Sequence, residues 1–350
     1  MKLGNIEIGS NKKTYFIAEM SGNHNQSLER ALEIVDAVAA TGADALKIQT
    51  YTPDTMTLNL SKGEFSIADK KSLWVGKSLY DLYSEAMTPW EWHKPIMDRC
   101  KMKGLEFFSS PFDATAVDFL EELGVNFYKI ASFELNDIPL IKKVAQTKKP
   151  IIMSTGMATV SEIAEAVEAA RSNGCNDIVL LKCTSAYPAD PKEANLATIS
   201  TLREIFGVEI GLSDHTMGSA VPIASAVLGA TVIEKHLTIR RSDGGVDSAF
   251  SMEPEEFASM ITDVHNAKSA LGHVHFGLTE SELRSRQFRR SIYISKKMIK
   301  GQVIGPEDIK VIRPGLGMEP KFYEKVLGLR VNADYEIGTP LSWDKITEKL

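Results

Sequence analysis

GLSDHTMGSAVPIASAVLGATVIEKH, Gly211 to His236, decides the fold. An apolar run opens it and another closes it, with a helical stretch from Gly218 to Leu228 between them. Each run passes into polar residues: Ser213, Asp214 and His215 in the first, Glu234, Lys235 and His236 in the second. Strands buried on both faces of a parallel sheet read as apolar runs, and in a β/α barrel the chemistry collects where such strands end. FIAEMSGNH (Phe16 to His24), ALKIQTY (Ala45 to Tyr51) and YKIASFE (Tyr128 to Glu134) repeat the pattern upstream.

Outward from there, eight strand and helix pairs can be counted. Strands are predicted at Tyr15 to Ala18, Ala45 to Gln49, Leu105 to Ser109, Phe127 to Ile130, Pro150 to Ser154, Ile178 to Lys182, Glu209 to Leu212 and Val232 to His236. Amphipathic stretches follow most of them, such as Leu28 to Ala40, Ala114 to Leu123, Val160 to Ser172 and Pro254 to Leu271. Regular alternation of this kind predicts a parallel sheet with covering helices. Between Pro53 and Trp90 it lapses into a long mixed loop before Glu91 to Lys103 resumes as helix. Such excursions at a strand's C-terminal end carry substrate-covering elements in barrels. After Gly272 the basic stretch LRSRQFRRS leads into short β-like pieces broken by Gly and Pro. The expected organisation is α/β: a (β/α)8 TIM barrel over residues 1–272, a linker over 273–288 and a small β-rich domain over 289–350.

The 350 residues, 43% hydrophobic, suffice for one large core and a small one. A net charge of -6 argues against nucleic acid as a partner. With neither a signal-peptide core in MKLGNIEIGSNKKTYFIAEM nor an 18-residue apolar span, the expectation is a cytoplasmic protein without membrane contact. Cys100, Cys175 and Cys183 lack CxxC spacing and read as buried free thiols.

His215 and His236 end the last two strands, so they can converge on one cation and leave positions open for water or substrate. On spacing alone the better reading is a pair of ordinary core or surface histidines, and His273 with His275 reads as a solvated loop. The other strand ends supply Lys47, Gln49, Ser110, Lys129, Ser132, Ser154, Ser185 and Ser213. Lysines and hydroxyls together can hold a phosphorylated anion without Walker-type glycines. Glu19 and Glu134 are expected to face one cavity, to bind hydroxyls or move protons, or else to pair with lysine. Trp74, Trp90 and Trp92 read as a satellite core, with a lid as the alternative.

FIAEMSGNHNQS, KIQTYTPD, SSPFD, YKIASFELND, MSTGMAT, LKCTSAYPA, GLSDHTMG and IEKHLT, followed by RRSIYISKKMIKGQVIGPEDIKVIRPGLGM, resemble the sialic acid synthases along nearly the whole chain and in order. Within that family QTYTPDTMTLN, LWVGKSLYDLYSEAMTPWEWH and GGVDSAFSMEPEEF look like the pseudaminic acid branch. The resemblance implies an enzyme condensing phosphoenolpyruvate with an amino sugar, here 2,4-diacetamido-2,4,6-trideoxy-altrose. It implies a C-terminal antifreeze-like (SAF) domain, exchanged between the chains of a homodimer. It implies Mn²⁺ or Mg²⁺ on His215 and His236, and phosphoenolpyruvate on Lys47, Ser110, Lys129, Ser132, Ser154, Ser185 and Ser213. Glu19, Gln49, Tyr187 and Asp247 match groups around the acceptor, and Glu134 lies by the reacting carbons. Glu19, Glu134 and Tyr187 are the expected catalytic groups, and Arg313 matches an arginine inserted into the partner's site. N-acetylneuraminate and legionaminate synthases are the near alternatives. A metal-dependent pyruvate aldolase or a sugar-binding protein is a further one, and phosphate release separates these from a synthase.

Overall fold

Eight parallel strands close into a barrel in the computed structural model, which describes residues 1–70 and 72–347. They are β1 (Tyr15–Glu19), β2 (Ala45–Thr50), β3 (Glu106–Pro111), β4 (Tyr128–Ile130), β5 (Ile151–Ser154), β6 (Ile178–Cys183), β7 (Glu209–Asp214) and β8 (Val232–His236). Each pairs with the next and β8 returns to β1, so no strand edge is left for another chain to extend. The covering helices are α1 (Leu28–Thr41), α2 (Trp90–Lys103), α3 (Ala114–Leu123), α4 (Ile138–Ala145), α5 (Val160–Ser172), α6 (Thr198–Phe206), α7 (Ala220–Val227) and α8 (Pro254–Leu271). Local chemistry fixes where several begin. Ser27 caps α1, Asp113 caps α3, and Thr159 with Glu162 forms a reciprocal box on α5, each satisfying amides that a helix start leaves free.

Side chains alternate across every strand. One set, including Phe16, Ala18, Leu46, Ile48, Ile151 and Met153, packs outward against the helices. The other set points into the barrel and forms two layers. Near the strand starts Tyr15, Ile17, Ala45, Phe108, Phe127, Ile152, Val179, Leu181 and Val232 make a dry apolar cluster. Leu3 and Ile8 join it from an N-terminal hairpin, Lys2–Leu3 against Ile6–Glu7, which plugs that end of the barrel. Gly211 has no side chain within this packing, and a Cβ there would stand 2.4 Å from the Val232 carbonyl.

The excursion after β2 has secondary structure of its own among its described residues. It contains the short helices Pro53–Met56 and Leu79–Ala86, and Ser66 pairs with Ser78 to hold its middle as a hairpin. Contacts divide the chain into two units, Met1–Gly272 and His273–Leu350. In the second, β9 (Ser291–Ile294) runs antiparallel to β10 (Ile309–Ile312), and a further pair joins Arg330–Val331 to Ile346–Thr347. Its own core gathers Ile292, Ile294, Met298, Ile304, Ile309, Val326, Val331 and Leu341. Among the described residues no helix is long and apolar enough to cross a membrane.

Candidate active site at the strand ends

Above the apolar layer the inward positions turn charged. Register sets Glu19 level with both Lys47 and His236, and Glu234 level with Ser213. Lys47 lies 3.1 Å from Glu19 and 2.9 Å from Glu234, and Lys129 lies 2.9 Å from the same Glu234 oxygen, which also accepts from Ser213 at 3.0 Å. All four ionisable groups are buried. Burial alone would raise the Glu234 pKa, but Lys129 and Lys47 overcome it and hold the carboxyl well below the usual range. Burial also lowers Lys129, while Glu19 and Glu234 outweigh it at Lys47 and hold that ammonium above its ordinary value. Glu19, sharing one lysine, is pushed up to about 7 by burial. Isolated charges at such depth are prohibitive, so the two lysines and two carboxylates persist because they neutralise one another.

Around this quartet lie hydroxyls without partners. The Oγ atoms of Ser110 and Ser154 are buried and make no hydrogen bond, a costly state for a polar group unless a ligand completes it. Ser132 accepts from the Gly156 amide at 3.1 Å. Ser185 approaches the Cys183 thiol at 3.8 Å. A Cβ on Gly156 would fall 2.2 Å from the Ser185 hydroxyl and 2.7 Å from that of Ser132, so glycine is what lets the two close on one spot.

Over the charged layer opens a cavity of 380 Å³, the size of a small-molecule site. Gln49, Glu134, Tyr187, His236 and Asp247 line it, together with Ser21. Burial pushes Glu134 up to about 7, and one of its carboxylate oxygens has no partner. The Tyr187 phenol, raised well above its usual pKa by burial, stays protonated as a donor. Ser21 donates to Asp247 and receives from Gln49 at 3.2 Å, and Gln49 also donates to Glu19 at 3.3 Å. Ser21 sits at φ 46°, a left-handed backbone uncommon for serine and of the kind found at functional sites.

His215 and His236 face one another with ring centroids 5.4 Å apart. The Thr184 carbonyl lies 3.0 Å from His215 Nδ1, which assigns the proton to that nitrogen and frees Nε2. His236 Nδ1 is buried without a partner, and burial pushes its ring well below the ordinary pKa, so it is neutral. Among the described residues no cluster of three or more His, Cys, Asp or Glu forms a metal site. Two facing imidazoles with spare nitrogens fit a cation that takes its remaining ligands from substrate and water.

The residues singled out in the barrel sequence therefore separate into levels. Lys47, Lys129, Ser110, Ser154 and Ser213 lie within the barrel, whereas Gln49, Glu134, Tyr187, His236 and Asp247 line the cavity. Of the two readings open for Glu19, facing the cavity or pairing with a lysine, the second holds: Lys47 pairs with one of its oxygens and Gln49 donates to the other. Trp74 departs from the satellite-core reading. It lines the cavity and donates to the Val246 carbonyl at 2.9 Å, while Trp90 packs at a tilt against Phe119 and Trp92 meets His24 edge to face. Arg313 is exposed in the second unit, one residue beyond β10. Two members went unmarked in the sequence, Glu234 and Ser21. Alternation along VIEKH puts Glu234 on the face of His236 and would have found it, but no sequence signal marks Ser21.

Residues 34–276 match the NeuB family and residues 289–347 the SAF domain. The pseudaminic acid synthase of Campylobacter jejuni is 44% identical over 97% of this chain and 98% of its own length. The N,N'-diacetyllegionaminic acid synthase of Legionella pneumophila is 36% identical over 97% of this chain and 96% of its own. Among solved structures, the N-acetylneuraminic acid synthetase of Leptospira borgpetersenii, crystallised with citrate, superposes with a TM-score of 0.71 at 33% identity. That match covers 81% of this chain and 94% of the other. A barrel whose strand ends hold paired lysines, free hydroxyls and facing histidines, matched along its length to these synthases, belongs to the NeuB family.

Proposed function

We propose that the protein is a pseudaminic acid synthase, a cytoplasmic transferase. It would join phosphoenolpyruvate to open-chain 2,4-diacetamido-2,4,6-trideoxy-L-altrose, with water, to give pseudaminic acid and phosphate. The observation that carries this reading is the stacking of a lysine- and hydroxyl-bearing charged layer directly beneath a cavity of sugar size, in a chain 44% identical to such a synthase. The three cysteines, free and buried, fit a reducing compartment.

In the reaction a bond forms between C3 of phosphoenolpyruvate and the aldehyde carbon, whose oxygen takes a proton. Water then adds at C2, the C2–O bond to the phosphoryl group breaks, and phosphate leaves. Lys47 and Lys129 hold the anion by point charge, with Ser110, Ser154, Ser132 and Ser185 as neutral donors. Gln49, Tyr187 and Asp247 orient the acceptor through its hydroxyl and amide groups. Glu134, with its unpartnered oxygen, accepts the proton of the attacking water. His215 and His236 would hold a divalent ion, Mn²⁺ or Mg²⁺, which when bound supplies Lewis-acid polarisation of the aldehyde. Charge balance supports that ion: the lysines are already neutralised by Glu19 and Glu234, so a phosphorylated carboxylate needs further positive charge.

We further propose that Arg313 completes the partner's site in a homodimer that exchanges SAF domains. Its support is the family likeness and the exposure of Arg313 at the end of β10. Mixing Arg313→Ala with His236→Ala protein should restore activity after subunit exchange, and no gain over the parents would remove the shared site.

The function is tested by supplying phosphoenolpyruvate and Mn²⁺ with the altrose acceptor, its legionaminic counterpart or N-acetylmannosamine, reading phosphate release and product mass. The altrose sugar should give the highest kcat/KM. Preference for another reassigns the acceptor, and no phosphate with any of them refutes the synthase.

A further inference from the structure

A second buried ion pair, Lys235 with Asp214, lies outside the charged quartet and does not line the cavity. Alternation along β7 and β8 turns both side chains away from the interior that Ser213, Glu234 and His236 face. Outward positions on these strands are otherwise apolar, as at Ile210 and Ile233, and Ala18 stands level with Lys235 on β1. The pair closes at 2.5 Å with both residues buried. Such a pair adds little stability over apolar side chains of like volume, so stability alone does not account for it.

Its place is one residue before each of the facing histidines. Lys235 and Asp214 are opposite one another and are the last residues that β7 and β8 pair, so no ladder between these strands spaces His215 from His236. The ion pair takes over where the ladder stops. Asp214 accepts from the Thr216 amide and from the Thr216 hydroxyl, each at 3.1 Å, and Lys235 donates to the Thr216 carbonyl. His215 thus lies between two anchored residues. The Ala189 amide holds the His215 carbonyl at 3.0 Å, and the Met252 amide holds that of His236 at 2.9 Å. Each histidine is tied to its own loop, and Lys235 with Asp214 ties the two together. We propose that Lys235 and Asp214 are positioning residues for a bound cation, setting the spacing of the two imidazoles and through it the affinity for the ion. The inference rests on reading His215 and His236 as the cation site.

The test is a titration of full-length protein with Mn²⁺ in the absence of substrates, free Mn²⁺ being read by electron paramagnetic resonance. Asp214→Asn combined with Lys235→Met leaves no buried charge and keeps an oxygen for the Thr216 amide. Its dissociation constant for Mn²⁺ should rise about 10- to 100-fold, the usual effect of losing groups that orient metal ligands. Asp214→Glu keeps the ion pair but displaces it by one methylene, and should weaken Mn²⁺ and shift the visible bands of bound Co²⁺. Ile152→Ala opens a cavity in the apolar layer and destabilises the barrel away from the pair, so it should bind Mn²⁺ as the wild type does. Wild-type affinity in whichever pair variant folds overturns the proposal, and so does an equal loss in Ile152→Ala. Undiminished Mn²⁺ binding by His215→Ala with His236→Ala removes the cation site and the proposal with it. No turnover is needed, so the result stands apart from the synthase reading.

Discussion

Inside the barrel, Ile17 and Glu19, Ala45 and Lys47, Phe127 and Lys129, and Val232 and Glu234 are pairs two residues apart along the chain, Phe127 lying just before β4 and the rest on one strand each. The first of each pair lies in the lower, apolar layer and the second in the upper, charged one. Rigidity therefore comes from below and chemistry from above. The lower layer stabilises by dispersion and burial, which tolerate small changes, because neighbouring side chains can partly close a gap. The upper layer survives only by mutual neutralisation, so loss of one member leaves its partners as uncompensated buried charges.

The largest expected effect lies at Glu234, which two lysines share. Glu234→Ala should cost ~3–5 kcal/mol of barrel stability, read as a lowered urea midpoint, and should abolish turnover. A midpoint within error of the wild type would show that the quartet is not coupled in the way its distances imply. A smaller effect concerns pH. Burial raises Glu134 to about 7, and a base must be ionised, so kcat should fall as pH drops below about 7, approaching tenfold per unit. Glu134→Gln should be slow and should flatten that limb; a limb that persists unchanged in the variant assigns it elsewhere, with Glu19 the next group to examine. The smallest effect belongs to the lower layer. Ile152→Val should cost ~0.5–1.5 kcal/mol of stability and leave the KM for phosphoenolpyruvate unchanged. A shifted KM there would mean that the layers are mechanically linked.

The barrel was legible because its strands are apolar on both faces and end abruptly. All eight predicted strands overlap the observed ones, with differences only at the ends, where β3 and β7 run on through Pro111 and Asp214. The histidine pair and the lysines were legible because their places follow from strand order. Pairing partners were not. Glu19 was read as facing the cavity or pairing with a lysine, and only the register of β1 against β2 decides for Lys47. The plugging hairpin escaped notice because two-residue strands have no period to detect. Neither could the sequence separate Trp74 from Trp90 and Trp92, since an aromatic ring reads alike whether it faces a core or a cavity.

Because the hairpin seals the strand-start end with Leu3 and Ile8, the barrel is a vessel with one mouth. Its contents must queue. On the proposed assignment a ligand seated on Lys47 and Lys129 would lie beneath one held by Gln49 and Asp247, so the deeper would enter first and leave last. An acceptor arriving early would cork the vessel, and this would appear as inhibition at high sugar that excess phosphoenolpyruvate relieves.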